Sequence, residues 1–194
     1  MPLPETVDDF WQMVAASGAK TLVTLGPLED ETCPVFWPEV EGSVQEYQKV
    51  SVELAGSQDL KSLIVRTLKV AETGTTPWVL KQFHLDTWTQ SRTLPSSCDL
   101  VLEVLQHVDR WQLHTDSKTV VVQCRDGCRA SGLFCASAIV CEQLKLEQEL
   151  DVFRTVQTIR ASRPQFIVDS NQYAFCYDLA LAFLDTFDTY SNFQ

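Results

Sequence analysis

The chain has 194 residues, with 15 Lys and Arg against 26 Asp and Glu for a formal net charge of −11. Its 45% hydrophobic content and five Trp supply a packed core, which excludes a disordered chain or a disulfide-stapled miniprotein. The acidic balance excludes nucleic-acid or anionic-membrane binding driven by overall charge, so any anion site must be local.

The N-terminal residues Met1-Pro2-Leu3-Pro4 do not read as a signal peptide. No apolar run reaches the roughly 18 residues a membrane span needs. Thr6-Val7-Asp8-Asp9 reads as a helix start, with Thr as N-cap and acids at the positive end of the dipole. Phe10, Trp11 and Val14 share one face of that helix, which stops at Ser17-Gly18. A short strand follows over 20–25, then an acidic, proline-containing loop from Gly26 to Pro38. Residues 48–54 and 62–70 alternate β-branched and polar side chains, as half-buried strands do. Another strand runs from Trp78 to Leu85, and a polar loop from Asp86 to Ser97.

Leu100, Val101, Val104, Leu105, Val108 and Trp111 recur at helical spacing. Residues 118–123 form an apolar run of the buried-strand type, and a sharp turn, Cys124 to Ala130, leads into a helix over 131–144. Two further helices are expected over 150–161 and from Ser170 to about Phe187, with Asp185–Gln194 a frayed tail. Interleaved strands and helices imply one α/β domain built on a mixed sheet, over residues 1–194.

The seven Cys, at 33, 98, 124, 128, 135, 141 and 176, are odd in number and partly inside apolar segments. That pattern fits reduced thiols in a cytoplasmic compartment. Cys135, Cys141 and Cys176 read as core packing, as does Gln172-Tyr173 at the start of the last helix. His84, His107 and His114 are not clustered with the cysteines, so neither a metal site nor a cofactor is expected.

The segment Val120-Val121-Val122-Gln123-Cys124-Arg125-Asp126-Gly127-Cys128-Arg129-Ala130-Ser131-Gly132 is strand, Gly-containing turn, then helix N-terminus. Backbone N–H groups and the positive helix end converge there, favouring an anion, whether phosphate or thiolate. Cys124 would then be the most reactive of the seven. The same spacing also suits a buried structural cysteine on a βα turn.

This segment resembles the protein tyrosine phosphatase signature of His-Cys, five residues, Arg, then Ser/Thr-Gly. "PLPETVDDFWQMV" is similar to the family's "GPLPxTVxDFWRMV". "VLKQFHLDTW" resembles its strand into the acid loop, and "DVFRTVQTIRASRPQF" with "QYAFCYDLALAFL" its last two helices. "FCASAIVCEQL" and "FCYDLALAFLD" look most like the second, membrane-distal domains of receptor-type enzymes of the MAM-domain (kappa, mu, rho) subgroup. The resemblance implies a tyrosine-phosphatase-like fold without its front part, including the loop that stacks on phosphotyrosine.

It also implies which chemistry is kept. The nucleophile position is Cys124, Ser131 keeps the following hydroxyl, and Gly132 is kept. The preceding His is replaced by Gln123, the phosphate-gripping Arg by Ala130, the general acid by Gln90 in Trp88-Thr89-Gln90, and the water-positioning Gln by Val168. Asp86 reads as a solvated loop acid. Trp37-Pro38-Glu39 matches the acid-loop letters but lies far upstream of that loop.

Three functions follow as expectations. One is a catalytically impaired module of a receptor-type phosphatase. Its partner would be a protein, such as the catalytic domain of the same or another receptor, and Arg125, Asp126, Gly127, Cys128, Arg129, Ser131 and Gly132 would give at most weak phosphopeptide binding. In a chain so acidic, Arg125 and Arg129 also read as partners of its own carboxylates. A second is an active phosphatase with Arg125 or Arg129 as a substitute clamp. The third is redox sensing through Cys124 and Cys128.

Overall fold

A computed structural model of the chain describes residues 1–28, 33–89 and 91–191. In chain order the elements are α1 (Val7–Ser17), β1 (Thr21–Leu25), β2 (Val44–Tyr47), β3 (Val50–Asp59), β4 (Ile64–Glu72), β5 (Trp78–Leu85), α2 (Cys98–Gln112), β6 (Val120–Cys124), α3 (Arg129–Leu146), α4 (Val152–Ser162) and α5 (Ser170–Ser191). The expected mixed α/β architecture is present. Among the described residues the strands form one sheet in the order β2-β3-β4-β5-β1-β6. β2 to β5 pair antiparallel, whereas β1 lies parallel to both β5 and β6.

The sheet separates two apolar layers. On one face Val23, Leu25, Phe83 and Leu85 pack under α2, α3 and α5, whose Val104, Leu133, Phe134 and Leu179 are buried. On the other face Leu22, Val52, Leu68 and Leu80 meet Trp11 and Val14 of α1 together with Phe36 and Trp37. Trp11, fully buried, donates its indole N–H to Phe36 O at 2.6 Å and stacks on Tyr47.

Several boundaries differ from the sequence expectation for local reasons. Thr6 precedes α1, but its hydroxyl bonds back to Leu3 N and Leu3 O, so it closes a 3-10 turn over Pro4–Thr6 instead of capping the helix. Gln48, at φ 54, and Lys49 make the β2–β3 hairpin turn, which moves the strand start from 48 to 50. Ser62 and Leu63 likewise belong to a turn closed by Leu60 N on Leu63 O. β2 escapes notice in the sequence because only Tyr47 of its four residues is buried. The last helix runs on to Ser191 instead of fraying after Asp185, in keeping with a segment that holds no Gly or Pro. Residues 192–194 lie outside the described residues.

Candidate active site

Cys124 ends β6 beside Leu25, the last residue of the parallel strand β1. The C-terminal ends of parallel strands are where open α/β sheets form binding crevices. The chain turns over 125–128, and α3 begins at Arg129, so Arg129 and Ala130 lie in the helix's first turn. Gly127 adopts φ +66, and a Cβ there would come 2.7 Å from Arg163 Nη1. Arg163 itself donates to Gly127 O at 2.5 Å, tying the end of α4 to the turn. One helical turn later, a Cβ on Gly132 would sit 2.8 Å from the Phe166 ring. Both glycines thus permit a close approach that a side chain would block.

The backbone amides of the turn do point to a common centre, and a carboxylate is already there. Asp126 Oδ1 accepts from Cys128 N at 2.9 Å and from Arg129 N at 3.0 Å. Cys124 Sγ donates to the same oxygen at 3.2 Å, and Ser131 Oγ lies 3.3 Å from Sγ. Arg129 Nε lies 3.5 Å from Asp126 Oδ2. Burial alone would raise the Asp126 pKa. The amides of Cys128 and Arg129, the Cys124 thiol and the Arg129 charge outweigh it and hold the carboxyl below its ordinary range.

The depressed Asp126 pKa makes the stability of the fold depend on pH. The stabilisation is present in full above the unfolded carboxyl's pKa and is lost as pH falls through the lower, folded value. The stability difference between wild type and Asp126→Asn should therefore stay level from about pH 8 to pH 5 and shrink below about pH 4. Urea denaturation across that range checks it, and a gap that widens in acid would contradict it.

A cavity of about 390 Å³ opens over this turn, lined by Cys124, Arg125, Asp126, Arg129, Arg92 and Trp88. Ala130 forms part of its wall with a methyl group where the family resemblance places the gripping arginine. Val168 lies elsewhere. It is 45% exposed, and its backbone N–H donates to Gln172 Oε1. Gln90 lies outside the described residues, although its neighbours Trp88 and Thr89 line the cavity. Trp37 and Glu39 are absent from that lining; Trp37 packs beneath the Arg66 guanidinium at 4.6 Å.

Behind the cavity, on the α1 face of the sheet, runs a row of buried polar groups. Thr24 Oγ1 accepts from Gln82 Nε2 and from Gln123 Nε2, both at 3.0 Å. Arg66 bonds Gln82 Oε1 and His84 Nδ1, and the other His84 nitrogen faces Gly26 O at 2.9 Å. Burial keeps the His84 pKa below its ordinary value, against that hydrogen bond and the Asp86 charge. Asp86 is half-buried and lines a second cavity with Arg66 and His84, so it is less solvated than its loop position implies. Gln123 therefore belongs to the sheet's polar row, while Cys124, one residue on, turns to the opposite face.

The cysteines at all seven positions are free. Burial pushes Cys135 and Cys176 up to about 11 and Cys141 to about 12, in keeping with packing roles. The Cys124 thiol is engaged with Asp126 and Ser131.

Sequence reasoning did not find two residues that hold the site together. Gln172, fully buried, accepts from Val168 N and donates to Thr93 O at 2.9 Å and Arg129 O at 3.2 Å. It thus ties the loop after Trp88, the start of α3 and the start of α5 together, which is more than a packing anchor does. The other is Arg163, four residues beyond Ile159. Nothing in the local sequence signals either contact, since both partners are distant in the chain. The role of Asp126 did have a signal, because Asp-Gly marks turns in which the Asp side chain accepts nearby amides.

A sequence profile described as Protein-tyrosine phosphatase matches residues 1–182. Among curated proteins the chain is 33% identical, over all of its length, to human "Receptor-type tyrosine-protein phosphatase alpha". It is 31% identical over 97% of its length to chicken "Receptor-type tyrosine-protein phosphatase U" and 30% over its full length to the human epsilon form. It spans only 24%, 14% and 28% of those three proteins. No helix among the described residues is long and apolar enough to cross a membrane.

Proposed function

Because the chain belongs to the protein-tyrosine phosphatase family, we propose that it is a catalytically impaired phosphatase domain serving as a regulatory or protein-binding module of a receptor-type enzyme. Ala130 carries the reading. In the family an arginine at this position holds two phosphate oxygens as charge builds in the transition state; here the wall presents a methyl group. The neighbouring Arg129 does not replace it, because its Nε is paired with Asp126 and its side chain is 60% exposed.

Losing a single oxyanion-type donor costs about 10²–10³ in rate. The general-acid position, Gln90, compounds the loss because an amide does not supply a proton to a leaving group. Within a receptor the domain takes the membrane-distal, cytoplasmic position, and "FCASAIVCEQL" and "FCYDLALAFLD" favour the MAM-domain subgroup. Its partner is then a catalytic phosphatase domain of the same or another receptor.

The purified chain is expected to release no phosphate from an aryl phosphate or a phosphotyrosine peptide beyond the level of Cys124→Ala. Turnover that disappears in Cys124→Ala would overturn the reading.

A further inference from the structure

We infer that Asp126 is an intramolecular occupant of the phosphate cradle, a built-in anion that keeps oxyanions out of the Cys124 pocket. The inference rests on reading this turn as the cradle of a phosphatase-family domain whose catalysis is impaired. In such a cradle the incoming anion needs three things: the inward amides, a neighbouring guanidinium and space over the cysteine. Asp126 has a hold on the first two. Its Oδ1 takes the amides of Cys128 and Arg129 and the proton of the Cys124 thiol, and its Oδ2 faces Arg129 Nε. The space is present, since the 390 Å³ cavity reaches Cys124, Arg92 and Arg129.

A phosphate entering this cavity meets a carboxylate of its own sign where its oxygens would bind. It must displace that carboxylate, and a tethered competitor lowers apparent affinity by the fraction of time the site is free. Asp126 is well placed for displacement because its side chain is 44% exposed and can swing to solvent without breaking the core. With the carboxylate removed, the two amides and the Arg129 guanidinium become available to an outside oxyanion together.

The test is calorimetric titration of wild type, Asp126→Ala and Asp126→Asn with inorganic phosphate at low salt. Each variant is first checked for a cooperative melt. Asp126→Ala is expected to bind phosphate on the order of tenfold more tightly than wild type. Asp126→Asn should gain less, since it removes the charge but can still accept the amides. If Asp126→Ala does not fold, the amide-accepting Asp126→Asn decides. A folded variant with no gain over wild type overturns the inference. This readout involves no turnover, so aryl phosphatase activity in the wild type would sink the reading of an impaired domain without determining the affinity difference.

Discussion

Replacing Trp11 by Ala is expected to remove about 4 kcal/mol of stability, the largest loss from any single side chain considered. Three contributions combine in it. The indole is fully buried, so its truncation leaves a cavity between α1 and the sheet. Its ring packs with Phe10, Phe36 and Tyr47, aromatic contacts that no neighbour can restore. Its N–H also satisfies Phe36 O at 2.6 Å, and that carbonyl would be left without its donor. Equilibrium urea denaturation gives the number directly. A loss below about 1.5 kcal/mol would mean that the face repacks around the gap.

Gln172→Leu should cost about 3 kcal/mol while preserving volume, because it orphans three backbone groups in one step. Val168 N loses its acceptor, and Thr93 O and Arg129 O lose their donor. The effect should be local as well as global. With Gln172 gone, the loop that carries Trp88 and the first turn of α3 are no longer bonded to a common side chain. Amide exchange should therefore accelerate at Thr89 and over 91–97 relative to the strands of the sheet. Urea denaturation measures the first effect and hydrogen exchange with mass spectrometry the second. Unchanged exchange in those residues would remove Gln172 from its role in positioning the site.

Most of the fold is legible in the sequence because its signals are local and redundant. The β-branched alternation of Val50 to Leu54, the apolar run at Val120 to Val122 and the helical spacing from Val101 to Val108 each specify an element without outside help. What is not legible is the chemistry of side chains meeting across the sheet or across loops. Gln123 reads as the loss of a catalytic neighbour; in the structure it is one end of a hydrogen-bonded row through Thr24, 99 positions away in the chain, and Gln82, which share the sheet with it. Asp126 reads as one member of a possible anion-binding loop, yet it acts as an acceptor. A linear pattern of residue types says that charge is present at the turn. It does not say which way that charge points.

The strand order carries a consequence for how the protein is assembled. β1 is inserted between β5 and β6, pairing Thr21 with Lys81 on one side and Val120 on the other, and among the described residues β1 is the one neighbour of the strand that bears Cys124. Pairings of such long sequence separation pay their loop-closure entropy before any contact repays it, which makes them slow to form. The antiparallel β2-β3-β4-β5 meander needs only nearby partners and can form first. The pocket is thus a late product of folding: the chain must be synthesised at least through Cys124 before β1 and β6 can join, and a nascent chain shorter than that holds a meander with no site.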